Sequence, residues 1–431
     1  MHRKQQCAKM LVLDYRQRIA DKELKEQLEA SGAVLIEGAK WCGKTSTGLN
    51  AANSVIYLQD EDKAAMYRQM ATTKPSLLLE GEVPHLIDEW QDAPILWNTV
   101  RFAVDQRRAV GQFILTGSAV PRDDSSRHTG TGRIARLRMR PMTLWESGES
   151  KGNVSLHQLF EGYANIAEQS DLEIENLAFA LCRGGWPASV GLSEKAALRV
   201  ARNYVDEVIE LDIHRVDGIE RNPQRVRKLL KSLARNVSTM AANETIMQDV
   251  VANDSTLSPT TFASYMNALR RIFVVDDIDA WLPKLRSKTA IRTSAKRHFV
   301  DPSIPAALLN ANPNGLLHDF KTFGFLFEDL CARDLRVYSQ TLDGDVYHYR
   351  DKNELECDMI ISLRDGKWAG VEVKLGQNEE NDAASHLLKL ANKVDDEKMN
   401  KPSFLMILTA GQFAYRRKDG VLVVPIGCLK P

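Results

Sequence analysis

The chain has 431 residues, 44% of them hydrophobic and 26% charged, and its 57 Lys and Arg are matched by 57 Asp and Glu. That length suggests about two to four domains, and that apolar content buries real cores, which excludes global disorder. The neutral balance excludes a pull of the whole molecule toward nucleic acid or membrane, so any nucleic-acid surface must be local.

The N-terminus, Met1-His2-Arg3-Lys4, is basic but no apolar stretch follows it, so no signal peptide is expected. From about residue 30 to 145 short apolar runs alternate with helix-length stretches. The expected strands are Ala33 to Glu37, Val55 to Leu58, His85 to Ile87, Phe113 to Thr116 and Ile134 to Met139, with a helix from Ile95 to Arg108. Apolar strands without alternation, separated by helices, read as a parallel sheet covered on both faces.

Between the first strand and the next helix lies Gly38-Ala39-Lys40-Trp41-Cys42-Gly43-Lys44-Thr45, followed by Ser46. It fits G-x-x-x-x-G-K-[ST], a loop whose glycines let successive backbone N–H groups point at a phosphate chain. The helix that opens there adds its positive dipole end. Lys44 is expected to reach the β- and γ-phosphates of ATP, and the Thr45 hydroxyl to hold Mg²⁺. The run Pro84-His85-Leu86-Ile87-Asp88-Glu89 is a second element, an apolar strand ending in two acids. Asp88 is expected to order Mg²⁺ and Glu89 to polarise the attacking water, a pairing that favours hydrolysis. Phe113-Ile114-Leu115-Thr116-Gly117-Ser118 ends in hydroxyls; Thr116 or Ser118 is a candidate γ-phosphate sensor, or else caps a turn. In Gly132-Arg133-Ile134-Ala135-Arg136 the guanidinium of Arg133, and less so of Arg136, is a candidate for neutralising transition-state charge, from the same chain or a neighbour in a homo-oligomer.

The pattern from about 171 to 275 is mostly helical, broken at Gly184-Gly185-Trp186-Pro187 and at Asn222-Pro223. Arg225 to Val237 reads as an amphipathic helix, Ile246 to Val251 as a shorter one, and Ser258-Pro259 opens a third through Leu269. Three helices at this spacing, followed by a strand from Phe273 to Ile278, read as a winged helix-turn-helix. Its last helix would present Thr260, Thr261, Ser264 and Asn267. Between Lys284 and Arg297 stand Lys284, Arg286, Lys288, Arg292, Lys296 and Arg297 with no acid among them. In a neutral protein such a wing is the best candidate contact to DNA, directed at phosphates and sensitive to salt.

Strands return from about residue 345, at Val346 to Tyr349, Met359 to Leu363, Trp368 to Val373, Phe404 to Leu408 and Val421 to Val424. Asp358 and Glu372 are candidate ligands of a divalent metal, with Lys374 on the same strand face as Glu372 and Glu328 as a third carboxylate. The apolar runs here are far shorter than the ~20 residues of a membrane span. Six cysteines are scattered without a CxxC pair, which fits a reducing cytoplasm and no zinc or disulfide framework. The division that follows is an α/β domain at 1–165, a helical segment at 166–310 and a second α/β domain at 311–431.

These residues together carry a likeness. The loop from Gly38 to Thr45, Ile87-Asp88-Glu89-Trp90-Gln91, Leu115-Thr116-Gly117-Ser118, Gly132-Arg133 and Arg140-Pro141-Met142 resemble the AAA-type ATPase core of a bacterial and archaeal family. Gly184-Gly185-Trp186-Pro187, Asp301-Pro302-Ser303, Tyr349-Arg350-Asp351 and Glu372-Val373-Lys374 resemble the C-terminal domain of unknown function with which its members continue. The resemblance implies an AAA-like P-loop ATPase, a winged helix and a fold similar to PD-(D/E)xK restriction endonucleases. Asp358, Glu372 and Lys374 match that nuclease signature, although Cys357 stands where a proline usually precedes the first acid. Two functions fit: an Mg²⁺-dependent ATPase driving a DNA-engaging or nuclease-like C-terminal half, or a nucleotide-gated switch whose degenerate C-terminal domain binds a protein.

Overall fold

The computed structural model describes residues 15–118, 132–216, 218–251, 257–281, 294–394 and 400–431. The chain separates into two compact units, the first centred on residues up to Pro141 and the second on those from Met142 onward.

In the first unit the elements run α1 (Ala20–Ala30), β1 (Ala33–Gly38), α2 (Lys44–Ala51), β2 (Ser54–Tyr57), α3 (Ala64–Thr73), β3 (His85–Asp88), α4 (Ile95–Arg107), β4 (Phe113–Gly117) and β5 (Ile134–Met139). The five strands form one sheet in the order β2-β3-β4-β1-β5, and every pairing is parallel. Alternation along each strand divides the core in two. Ala33, Leu35, Ile87, Phe113 and Leu115 face one way, onto Leu96, Trp97, Val100 and Val104 of α4. Val34, Ile36, Leu86, Ile114 and Leu137 face the other, onto Leu24 and Leu28 of α1. Both faces are covered, as continuous apolar strands require. The strand between the loop strand β1 and the acid strand β3 is β4, which brings Thr116 beside both.

The second unit begins its sheet with β6 (Ala167–Gln169) and continues through α5 (Ile174–Arg183) and α6 (Glu194–Glu207). The helical middle is α7 (Pro223–Arg235), α8 (Asn243–Val251) and α9 (Pro259–Arg271). Helix α7 starts where the Asn222 side chain accepts from the N–H groups of Gln224 and Arg225, with Pro223 in the first turn. Its apolar stripe of Val226, Leu229, Leu230 and Leu233 is buried. On α9, Thr260 and Asn267 are exposed while Thr261 and Ser264 are half-buried. After α9, antiparallel bridges join Val275 to Phe299 and Ile278 to Lys296.

Helix α10 (Phe320–Gln340) leads into β7 (Gly344–Arg350), β8 (Glu356–Leu363), β9 (Trp368–Lys374), α11 (Glu380–Lys393), β10 (Phe404–Thr409), β11 (Phe413–Arg416) and β12 (Leu422–Pro425). The mixed sheet has the order β6-β11-β12-β10-β9-β8-β7, with β9, β10 and β12 mutually parallel at its centre. Strands β6 and β11 have no counterpart in the sequence reading, because they are short and mostly exposed.

Candidate functional site

The loop from Gly38 to Thr45 joins the end of β1 to the first turn of α2. A Cβ on Gly38 would lie 2.0 Å from the Met139 carbonyl oxygen, so only glycine fits there. Gly43 has φ +104°, the left-handed region that glycine enters without strain. Of the remaining loop residues, Ala39 and Cys42 are buried, Lys40 is half-buried, and Trp41 and Ser46 are exposed. Lys44 is buried and its Nζ donates to the Ala39 carbonyl 2.8 Å away, which folds the ammonium over the loop.

Asp88, at the end of β3, is the meeting point. Its Oδ1 accepts from Thr45 Oγ1 at 2.8 Å and from Thr116 Oγ1 at 2.7 Å. Burial raises the Asp88 carboxyl above its ordinary range, and those two hydroxyls pull against that rise. The next residue, Glu89, has φ 55° and its N–H donates to Thr116 Oγ1 at 3.0 Å. Its Oε2 accepts from Ser118 Oγ at 3.0 Å and from Gln91 Nε2. Thr116 therefore positions both acids, and Ser118 holds Glu89. The donor set fits a triphosphate with Mg²⁺: a hydroxyl and a carboxylate converge beside a lysine and a glycine-framed loop.

Two site residues carried too weak a signal to single out. Arg18, ahead of α1, is buried and donates to the Cys42 carbonyl at 2.6 Å and to the Arg140 carbonyl at 2.8 Å. Gln91 stood in the sequence only as part of a motif.

Arg133 does not join this cluster. β1 and β5 are parallel, with Ala33 opposite Ile134 and Gly38 opposite Met139. Arg133 thus sits at the end of the sheet away from the loop, about 20 Å along the strand at ~3.3 Å per residue. Its Nε is paired with Asp105 at 2.8 Å. Neutralising charge at this chain's own nucleotide site is excluded by that placement, and only a role supplied to a neighbouring chain is left. Arg136 is paired with Glu37 at 2.9 Å.

The second unit brings Glu328 of α10, Asp358 of β8, and Glu372 and Lys374 of β9 together. Lys374 Nζ lies 3.0 Å from Glu372 Oε2 and 3.6 Å from Asp358 Oδ2, and Asp358 Oδ2 also accepts from the Val373 N–H at 2.9 Å. Lys296 completes the group, with its Nζ 3.0 Å from Asp358 Oδ1 and in contact with Glu328 Oε1. Burial, and then the neighbouring Asp358, push Glu372 upward. Burial also raises Asp358, but Lys296 and Lys374 together outweigh it and hold Asp358 low. Among the described residues no group of three or more His, Cys, Asp or Glu side chains is arranged to hold a metal ion.

The basic stretch divides. Lys284, Arg286, Lys288 and Arg292 lie outside the described residues. Lys296 and Arg297 are not free cations of a wing: both are buried, and Arg297 pairs with Asp277 at 3.0 Å and donates to Ala241 O and Asn243 Oδ1. Their periodicity gave no sign of this, because the acids they meet are distant in sequence.

Residues 30–147 match the family model of an AAA domain, and two domains of unknown function, DUF8612 and DUF4143, match residues 174–315 and 323–429. Uncharacterized proteins of Mycobacterium bovis and Mycobacterium tuberculosis are each 22% identical over 361 residues, covering 83% of this chain and 73% of the relative. Among solved structures the chain is similar to the Walker-type ATPase of Pyrococcus abyssi, with 14% identity and a TM-score of 0.42, covering 69% of this chain and 96% of that one. It is also similar to AMPPCP-bound DnaA from Aquifex aeolicus, with 15% identity and a TM-score of 0.29, covering 60% and 88%. The AAA-domain match spans the parallel sheet of the N-terminal unit and the loop from Gly38 to Thr45. Among the described residues no helix is long and apolar enough to cross a membrane.

Proposed function

We propose that the protein is a cytoplasmic ATPase that binds ATP with Mg²⁺ at the loop from Gly38 to Thr45 and uses its hydrolysis to control a DNA-engaging C-terminal half. The observation that carries the reading is the convergence of Thr45 and Thr116 on one oxygen of Asp88, at 2.8 and 2.7 Å, beside Lys44. The loop amides and Lys44 bind the β- and γ-phosphates, and Thr45 and Asp88 hold the metal. When bound, Mg²⁺ supplies charge neutralisation between those phosphates. Glu89, once turned from Ser118 and Gln91 toward the phosphate, accepts the proton of the attacking water.

Replacing Lys44 with Ala is expected to abolish ATP binding in calorimetry. Replacing Glu89 with Gln is expected to leave binding intact and to lower turnover by about 10²–10⁴-fold. Unchanged hydrolysis in both variants overturns the assignment. Helices α7, α8 and α9 with the flanking bridges support a winged helix within the block 166–310. Exposed Thr260 and Asn267, and Lys284, Arg286, Lys288 and Arg292, are its proposed DNA contacts. DNA that stimulates phosphate release in a salt-dependent way supports that half of the reading.

A second reading keeps the nucleotide site and makes 311–431 a degenerate nuclease-like domain that binds a protein partner. It is favoured by one observation, the amine of Lys296 between Glu328 and Asp358.

A further inference from the structure

Glu328, Asp358 and Glu372 are gathered around two lysines rather than arranged to hold a metal ion, and the space between Glu328 and Asp358 is already filled. Lys296 Nζ contacts Glu328 Oε1 and lies 3.0 Å from Asp358 Oδ1, and its side chain is 8% exposed. Lys374 takes the other side, 3.0 Å from Glu372. Three carboxylates therefore face two ammonium groups, leaving little charge for a dication to neutralise.

The lysine is not a loosely swinging stem that happens to fall there. Its backbone is fixed by a reciprocal pair of hydrogen bonds with Ile278, Lys296 N–H to Ile278 O at 2.8 Å and Ile278 N–H to Lys296 O at 2.9 Å. Arg297 beside it is locked to Asp277, Ala241 and Asn243. A divalent ion bound by Glu328 and Asp358 needs their oxygens at about 2.0–2.6 Å, the position the ammonium now occupies. Both cations cannot share it, because two like charges a few ångströms apart in a buried site repel strongly.

We infer that Lys296 is a built-in cation standing in the divalent metal's place among Glu328, Asp358 and Glu372, so that this carboxylate site takes no metal and cleaves no nucleic acid through one. The inference develops the second reading of the C-terminal half and does not depend on the nucleotide site. The ion pairs tie the segment from residue 294 to α10 and β8, so the cluster serves as an internal joint.

The test is Mn²⁺ titration of full-length protein carrying Lys44→Ala, without nucleotide, followed by electron paramagnetic resonance of the free ion. No binding that depends on Asp358 is expected. Adding Lys296→Met is expected to create Mn²⁺ binding at least about tenfold tighter than any residual binding of the Lys44→Ala protein, which Asp358→Asn then removes. Mn²⁺ binding in the Lys44→Ala protein that Asp358→Asn abolishes overturns the inference. So does a Lys296→Met protein that is folded by circular dichroism yet binds no Mn²⁺. Should Lys296→Met fail to fold, Fe²⁺ and ascorbate cleavage of the wild-type chain decides: scission within β8 or β9 overturns the inference, and its absence sustains it. In the same wild-type experiment, cleavage near Asp88 only when ATP is added reports separately on the nucleotide site.

Discussion

Single residues outside the recognisable loop set its shape, and Arg18 is the strongest instance. Its guanidinium is buried and bridges the carbonyls of Cys42, inside the loop, and Arg140, just past β5. Its own N–H donates to Asp21 Oδ2 at 2.8 Å, which fixes the turn into α1. Two carbonyls that would otherwise oppose each other are joined by one cation, and the loop is shaped before any nucleotide arrives. A hydrogen bond to a charged group contributes about 1.5–3 kcal/mol, and a buried carbonyl left without its donor costs about as much. Arg18→Ala is therefore expected to weaken ATP binding by about 10–100-fold in a fluorescent-nucleotide titration and to lower the melting temperature. Arg18→Lys reaches one carbonyl of the two and is expected to fall between. An alanine variant that binds ATP like the wild type would show that the loop keeps its shape unaided.

At the scale of elements, α10 does more than supply an apolar face. Phe323, Leu326, Phe327 and Leu330 pack inward, and the same helix buries Asp329, Arg333 and Asp334 and half-buries Glu328. Asp329 accepts from the Phe299 N–H at 3.1 Å and pairs with His298 at 2.8 Å. Arg333 pairs with Asp301 at 2.9 Å and Asp334 at 2.7 Å, while Asp334 Oδ2 accepts from the Leu144 N–H. Asp301 also receives the Gly185 N–H, and Ser303 receives the Trp186 indole N–H. The Gly-Gly-Trp-Pro and Asp-Pro-Ser motifs thus meet around one buried arginine. Gly184 has φ +77°, and a Cβ there would sit 2.4 Å from Ser303 Oγ. Arg333→Met leaves two buried aspartates without their cation and is expected to cost about 3–5 kcal/mol in urea denaturation. Adding Asp301→Asn and Asp334→Asn to that variant should restore part of the loss, because no bare charge then remains. Equal stability of Arg333→Met and wild type would mean the aspartates are protonated and need no partner. The central strands of both sheets and the loop were legible in the sequence, since continuous apolar runs and glycine spacing are local signals. The partners of Lys296, Arg297 and Arg18 were not, because each lies twenty or more residues away and only the fold brings it close.

For the whole molecule, equal numbers of acidic and basic residues mean that pH acts through a few buried groups and not through net repulsion. Those groups pull in opposite directions. Burial raises the Glu328 carboxyl to about 7 against the pull of Lys296, so its contribution is lost as pH climbs toward that value. Burial, reinforced by the nearby Lys296 ammonium and opposed by a bond to the Ser294 carbonyl, lowers His348 to about 4. His298, buried near the same ammonium, is lowered as well. A histidine depressed in the native state stays neutral there while the unfolded chain protonates near pH 6.5. Its stabilisation is therefore complete above about 6.5 and is lost as pH falls toward 4. Because the acid and histidine effects overlap, the wild-type curve alone is a poor reporter, and a difference between proteins isolates one group. His348→Gln keeps a donor for Ser294 but no longer titrates. Relative to wild type it is expected to gain about 2 kcal/mol between pH 7 and pH 5 in urea denaturation. A constant difference across that range would show that His348 is charged, or solvated, in the folded protein.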